Sequence, residues 1–383
     1  MCKKIISIIL IICGIISYIA IPCFAETDTL ELSALAAVVI CADTGQIIYG
    51  KNEYERRPMA STTKIMTALL ALEIASAEDI NITITDKMVP VEGSSMHLEI
   101  GNILPLSSLA KGMLTVSGND AANSAAIALG GSIELFSEMM NEKAKQIGMK
   151  NTNFVTPSGL DHENHYSTAY DLALLGSYAM ENESFYNICS KKKVEVPFNE
   201  PDKIAMLCNE NRMLNRYDGC VGIKTGFTKT AGRCLVSCAE REKLRLVAVT
   251  LNAGDDWNDH EKLLDYGFSR IKAVMFEDKD IFKVPLVGSD EDKLLCAAKG
   301  PVRVIVDRNE ADNIKRIVEL PSFIYSPIKE GDMVGRIQYV LNGKVIETNN
   351  ILVQKQNLPS NKEKNIIKKF FEFLKNFFRK NGD

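Results

Sequence analysis

MASTTKIMTALLALEIA, Met59 to Ala75, decides the fold. From Ile65 the segment is apolar on nearly every helical face, the mark of a helix sunk in a domain interior rather than laid on its surface. Its first turn holds a cation, Lys64, where the helix dipole favours acids and where a capping box after Ser61 would want Glu or Gln. Lys64 therefore enters a place of low dielectric, three residues from a serine on the same helical face. A lysine stripped of water gives up its proton more easily, and a neutral amine touching a hydroxyl can act as its base. Alone, Ser-x-x-Lys is a common accident, and an N-cap serine beside a solvated lysine is the plainer reading.

On the N-terminal side, LAAVVICADTGQIIYG reads as two β runs joined at Asp43-Thr44-Gly45-Gln46. On the C-terminal side, SLAKGMLTVSGNDAANSAAIALGG gives two helical segments interrupted at Ser117-Gly118-Asn119, and AYDLALLGSYAM gives another helix. Strands return at CVGIKTG, RCLVSCAER and LRLVAVTLNA, before a helix-like EKLLDYGFSRIKAV that ends near Val274. Flanking strands around a helical middle predict an α+β domain over residues 26–275, an antiparallel sheet flanked by helices. From about Phe276 short alternating runs take over, with a hairpin signal at Asn342-Gly343, and predict a small all-β domain over 276–356.

The chain has 383 residues, 46% hydrophobic, enough for a buried core and a site within it. Residues 1–25, MCKKIISIILIICGIISYIAIPCFA, have a basic start, a long apolar run and a small-residue ending, a secretory leader cleaved after Ala25. An uncleaved anchor helix is the alternative, and both readings export the remainder. The formal net charge is −4, and the leader removes two lysines with it, so bulk nucleic-acid binding is disfavoured. Beyond the leader stand Cys41, Cys189, Cys208, Cys220, Cys234, Cys238 and Cys296, an odd number without tight spacing and so not a disulfide framework. Cys234 and Cys238, on one strand, are about 13 Å apart at ~3.3 Å per residue, too far to bridge, and small buried thiols are expected. After a linker at LPSNKEK, the end of the 357–383 segment carries the apolar pairs Ile366/Ile367, Phe370/Phe371, Phe373/Leu374 and Phe377/Phe378 on one helical face. Seven cations against three acids (Glu363, Glu372, Asp383) occupy the other positions from Asn361 onward, which predicts a helix lying in a membrane interface, too short and too charged to span.

Two further stretches give Lys64 a task. VSGNDAAN sets Ser117 and Asn119 side by side on a loop able to present a hydroxyl and an amide to a cleft. VGIKTGFT sets Lys224 and Thr225 at a strand end, a cation and a hydroxyl for a carboxylate, with Gly226 allowing close backbone approach. In this order the three motifs resemble those of the serine penicillin-recognising enzymes: S-x-x-K, S-x-N and K-T-G. EGSSMHL and TPSGLDHENHYSTAYDLALL, with the β-domain and tail, make the chain most similar to the low-molecular-mass penicillin-binding proteins that act as D-alanyl-D-alanine carboxypeptidases, from about Leu35 onward.

That resemblance implies a β-lactamase/transpeptidase-like fold, peptidoglycan stem peptides as substrate, β-lactam antibiotics as covalent inhibitors, and no metal or other cofactor. It implies Ser61 as nucleophile, Lys64 as its base and Ser117 as a proton relay to the departing amine. Asn119 would hold Lys64 and the substrate amide, and Lys224, Thr225 and Gly226 would bind the terminal carboxylate. The backbone N–H groups of Ser61 and Phe227 would form the oxyanion hole. The tail would place the enzyme at the outer face of the cytoplasmic membrane. Many relatives carry an arginine after the last core strand, whereas NAGDDWNDHEK has none.

Other readings are weaker. His162 and His165 are three apart after turn residues, not four apart on a helix as a zinc hydrolase needs. Asp255, Asp256 and Asp259 lack hard-cation loop spacing and fit an acidic helix start. Trp257 is read as packing. A β-lactamase shares the motifs, but the E-x-x-L-N that speeds deacylation in one class is missing; a non-hydrolytic wall sensor would form the same acyl-serine and keep it.

Overall fold

A computed structural model describes residues 30–289 and 291–354. The expected leader, residues 1–25, and the expected linker and tail, residues 357–383, lie outside the described residues. β1 (Ala36–Cys41) and β2 (Ile47–Lys51) form the predicted antiparallel hairpin. A 3-10 turn, Ala60–Thr63, then feeds α1 (Lys64–Ala77). Every residue from Lys64 to Leu72 is buried, so the helix runs through the interior.

After the short pair β3 (Asn81–Thr83) and β4 (Ile103–Pro105), α2 (Leu106–Val116) and α3 (Asn119–Gly130) break apart where SGN predicts. α4 (Ile133–Ile147), α5 (Ala169–Ala179), α6 (Glu183–Cys189), the hairpin of β5 (Lys193–Phe198) with β6 (Lys203–Cys208), and α7 (Met213–Arg216) follow. β7 (Cys220–Thr228), β8 (Gly232–Arg241) and β9 (Leu244–Ala253) then complete a five-stranded antiparallel sheet in the order β2-β1-β9-β8-β7. β1 thus pairs centrally with β9, and β7 is left as an edge with backbone groups free to face a ligand.

α8 (Asp256–Arg270) covers one sheet face, where fully buried His260 bonds the hydroxyls of Ser237 on β8 and Thr250 on β9. α5 covers the other face through Gly176, whose position would put a Cβ within 3.1–3.2 Å of Ile223, Val236 and Val247. Helices on both faces of an antiparallel sheet give the α+β class expected.

The helix read through to Val274 stops at Arg270, and β10 (Ile271–Phe276) pairs along its length with β13 (Val302–Asp307). A strand partner outweighs the continuing apolar pattern, helped by β-branched Ile271 and Val274. The expected boundary at 275/276 falls inside this strand. β11 (Ile281–Val287), β12 (Lys293–Ala298), β14 (Lys315–Glu319), β15 (Ile324–Tyr325), β16 (Met333–Leu341) and β17 (Lys344–Val353) form a second sheet in the order β14-β16-β17-β12-β11-β15. Asn342 at φ 51 and Gly343 at φ 77 make the left-handed two-residue turn between β16 and β17. All seven cysteines beyond the leader are free thiols. Cys234 and Cys238 are buried as expected, whereas Cys208, on the β5–β6 hairpin, is exposed and Cys220 half-buried.

Candidate active site

Ser61 stands on the 3-10 turn and Lys64 opens α1, which places Lys64 Nζ 2.9 Å from Ser61 Oγ. Nζ also donates to the Ser158 carbonyl at 2.6 Å. Lys64 is 0% exposed. Its burial first, and the charge of Lys224 second, hold its pKa well below that of a free lysine. An amine with one N–H fixed on a carbonyl can turn its lone pair to the hydroxyl.

The loop over 155–165 braces this turn. His165 Nδ1 accepts the N–H groups of Val155 at 3.0 Å and Thr156 at 3.3 Å, which puts the ring proton on Nε2, 2.8 Å from Thr63 Oγ1. Thr63 Oγ1 in turn donates to the Ala60 carbonyl at 2.8 Å. Burial lowers the His165 pKa to about 4, so the ring is neutral. Both its nitrogens are spent on the chain, and among the described residues no His, Cys, Asp and Glu cluster is arranged to hold a metal. Gly159, at φ +84, passes so close that a Cβ there would lie 1.9 Å from the Ala60 carbonyl oxygen.

Strand β7 meets the turn from the other side. A Cβ on Gly226 would sit 3.0 Å from the backbone nitrogens of Ser61 and Thr62, so a glycine lets the edge strand lie against those N–H groups. Next in sequence, Phe227 has its ring largely exposed at the cleft. Lys224 Nζ donates to the Thr225 carbonyl at 3.0 Å and lies 3.4 Å from Thr225 Oγ1. Burial lowers its pKa to about 8, while Glu210 pulls the other way.

The third wall is the SGN turn. Ser117 caps α2 in the left-handed conformation, φ 61, which for a serine costs about 1–2 kcal/mol and turns the chain sharply into α3. Asn119 donates its backbone N–H to the Ser94 carbonyl at 2.7 Å and its side-chain Nδ2 to the Glu92 carbonyl. Among the described residues its buried Oδ1 has no partner. The expected bond from Asn119 to Lys64 is not formed: Nζ is taken up by Ser61 and Ser158. Asp120 accepts from Met96 N–H at 2.9 Å, Leu98 N–H at 3.0 Å and the Ser95 hydroxyl at 2.6 Å, pinning EGSSMHL to the SGN turn.

Ser61, Ser117, Thr225, Gly226 and Phe227 line a cleft of about 720 Å³, with Lys64, Asn119 and Lys224 buried behind them. Trp257, read as packing, instead stands half-buried in the first turn of α8 as a wall of the cleft. Arg233 and Asp256 join it; sequence reasoning gave Arg233 no task and read Asp256 only as part of an acidic helix start. Asp120 follows directly on SGN and could have been flagged as a buried acid at a helix start; the Ser158 contribution is a backbone carbonyl and leaves no side-chain signal.

A proton-poor lysine against a serine hydroxyl, with a glycine-edged strand at its side, belongs to a serine hydrolase. Residues 24–255 match the family profile of D-alanyl-D-alanine carboxypeptidase, and residues 272–360 match that of the penicillin-binding protein 5 C-terminal domain. The carboxypeptidase DacF of Bacillus subtilis is 32% identical over 361 residues, covering 90% of this chain and 92% of the relative. DacA of Escherichia coli is 30% identical over 369 residues, covering 91% and 88%. The crystal structure of penicillin binding protein 5 from Haemophilus influenzae superposes with a TM-score of 0.66 at 27% identity, over 87% of this chain and 99% of that one. Penicillin-binding protein D2 of Listeria monocytogenes, in its ampicillin-bound form, gives 0.57 at 34% identity, over 63% and 99%. The chain belongs to the D-alanyl-D-alanine carboxypeptidase family of serine peptidases.

Proposed function

We propose that this chain removes the terminal D-alanine from peptidoglycan stem pentapeptides through an acyl-serine formed on Ser61. Neutral Lys64 takes the hydroxyl proton as Ser61 Oγ bonds to the carbonyl carbon between the two D-alanines. The resulting oxyanion sits between the N–H groups of Ser61 and Phe227, donors in place before the charge develops. The C–N bond then breaks as the proton held by Lys64 passes through Ser117 to the amine, so that D-alanine leaves and Lys64 is neutral again. Water, losing its proton to Lys64, hydrolyses the ester. Asn119 Oδ1, buried without a partner, supports a role in accepting the substrate amide N–H. Lys224 and Thr225 hold the terminal carboxylate and Gly226 lets the peptide backbone approach.

The observation that carries this reading is the 2.9 Å approach of the fully buried Lys64 Nζ to Ser61 Oγ. The same serine would open β-lactams, and the ampicillin-bound Listeria relative supports that extension. The purified protein should release D-alanine from an acyl-D-Ala-D-Ala peptide and take up labelled penicillin, and Ser61→Ala should do neither. Retained release by Ser61→Ala would overturn the reading, and a stable acyl-enzyme without release would make the chain a wall sensor. The sequence supports export, a catalytic region followed by a small all-β region, and a membrane-associating tail at 357–383, which would set the enzyme at the outer face of the cytoplasmic membrane.

A further inference from the structure

The second sheet buries one face and leaves much of the other apolar as well. On β11 Val284 and Leu286 are buried, so Lys283, Pro285 and Val287 point outward; on β12 Leu294 and Cys296 are buried and Leu295 points outward. On β17 Ile351 and Val353 are buried and Leu352 points outward, opposite Met333 of β16. At the far edge β15 carries Tyr325, 66% exposed, with the Phe323 ring 5.3 Å away.

Register joins these positions into one diagonal. Met333 faces Leu352, and Leu352 faces Ala297, two residues from Leu295. Leu295 faces Lys283, two residues from Pro285, and Val287 beyond it faces Tyr325. Five strands carry the stripe, so at about 4.8 Å between neighbours it runs ~19 Å across the sheet. Single exposed apolar residues are ordinary, but a contiguous stripe marks a contact surface.

The chain supplies an occupant of matching length. Gln354, the last described residue, donates its N–H to the Leu295 carbonyl at 2.9 Å, so the chain leaves the sheet beside the middle of the stripe. Residues 355–365 can span up to about 36 Å, enough to bring residue 366 back to either end. From 366 to 378 the apolar pairs take ~20 Å as a helix at 1.5 Å per residue. Around the stripe stand exposed Glu291, Asp292, Glu330 and Asp332 against Lys283, Lys293 and Lys329. Among the described residues this face therefore has no positive excess to draw an anionic bilayer, whereas the tail brings seven cations and three acids to partner both signs. The tether also gives the tail an effective concentration on the order of millimolar, which a second copy lacks.

We propose that, away from a membrane, the apolar face of residues 366–378 lies along this stripe, so that the segment serves either the sheet or the bilayer and not both at once. This rests on the amphipathic reading of the tail. Sheet and lipid then compete for the same side chains, and whatever docking gains is lost from membrane affinity by the same factor.

Met333, at one end of the stripe, reports on docking, because peroxide turns an uncovered methionine into its sulfoxide faster than a covered one. Met206 on β6, 54% exposed, is the internal standard. Without lipid, Met333 of the full chain should oxidise about 5- to 10-fold more slowly than in Phe370→Glu/Phe377→Glu, the ratio for a tail docked roughly 80–90% of the time, while Met206 reacts equally in both. Anionic liposomes should raise the full-chain Met333 rate toward that of the variant. Tyr325→Glu should lose shielding and bind the liposomes more tightly by the same factor. Equal Met333 rates in the full chain and the tail variant overturn the proposal, as does shielding that grows with protein concentration, the mark of a second copy. Should Tyr325→Glu fail to fold, the tail variant decides alone. Shielding without flotation on liposomes upholds docking and overturns the membrane reading of the tail instead.

Discussion

Two lysines share this cleft and the chemistry needs them in opposite charge states. Burial pushes both down and Glu210 pulls both back up in part; what separates them is that Lys64 also feels the charge of Lys224. Lys64 therefore loses its proton first. As pH rises, kcat/KM should climb while Lys64 becomes a base and fall as Lys224 gives up its charge near pH 8. Lys224→Arg keeps the cation at all working pH, so the alkaline limb should move up by more than about one pH unit. Rates on the dipeptide substrate across the pH range check this, and an unmoved limb would assign the titration to another group. The side chains of the three motifs were legible because their chemistry lies in their types and order. Arg233 was not, because its place opposite Phe227 depends on strand register, and Trp257 was not, because a lone aromatic at a helix start reads as filler.

The catalytic turn is a short element held by its neighbours as well as by its own hydrogen bonds. It is gripped by β7 through Gly226 and by the loop over 155–165 through Gly159 and His165. Gly159→Ala adds a Cβ to a backbone at φ +84 and drives it into the Ala60 carbonyl, displacing Ser61 from Lys64. An ångström of such displacement is worth on the order of a hundredfold in rate, so penicillin acylation of Gly159→Ala should fall by about that much. Stopped-flow acylation measures it, and a rate within a few-fold of wild type would show that the turn does not depend on this grip. Strongly periodic elements were legible: the β1–β2 hairpin, α1, and the β16–β17 turn at Asn342-Gly343. β10 was misread because IKAVMF continues an apolar helical pattern, and only its partner β13, some thirty residues on, makes it a strand.

At the scale of the molecule, the site and the all-β region sit at opposite ends of the main sheet. β8 begins beside the cleft at Gly232 and ends at Arg241, a run of about 30 Å at ~3.3 Å per residue. The all-β region fastens at that far end, where Arg303 bonds Asp43 and the Lys243 carbonyl, each at 2.6 Å, and Arg308 bonds the Phe268 carbonyl at 2.9 Å. None of these anchors touches the catalytic turn. The proposed attachment rests on the sequence of the 357–383 segment, where seven cations follow Asn361 and each would contribute ~1 kcal/mol near an anionic bilayer surface. Ending the chain at Leu358 should abolish flotation with anionic liposomes and leave D-alanine release from a soluble peptide within about twofold of the full chain. Raising the salt should release the full chain as well, because screening shortens the reach of each cation. Continued flotation of the shortened chain would move the membrane contact to another part of the molecule, whereas lost hydrolysis would tie the tail to the cleft.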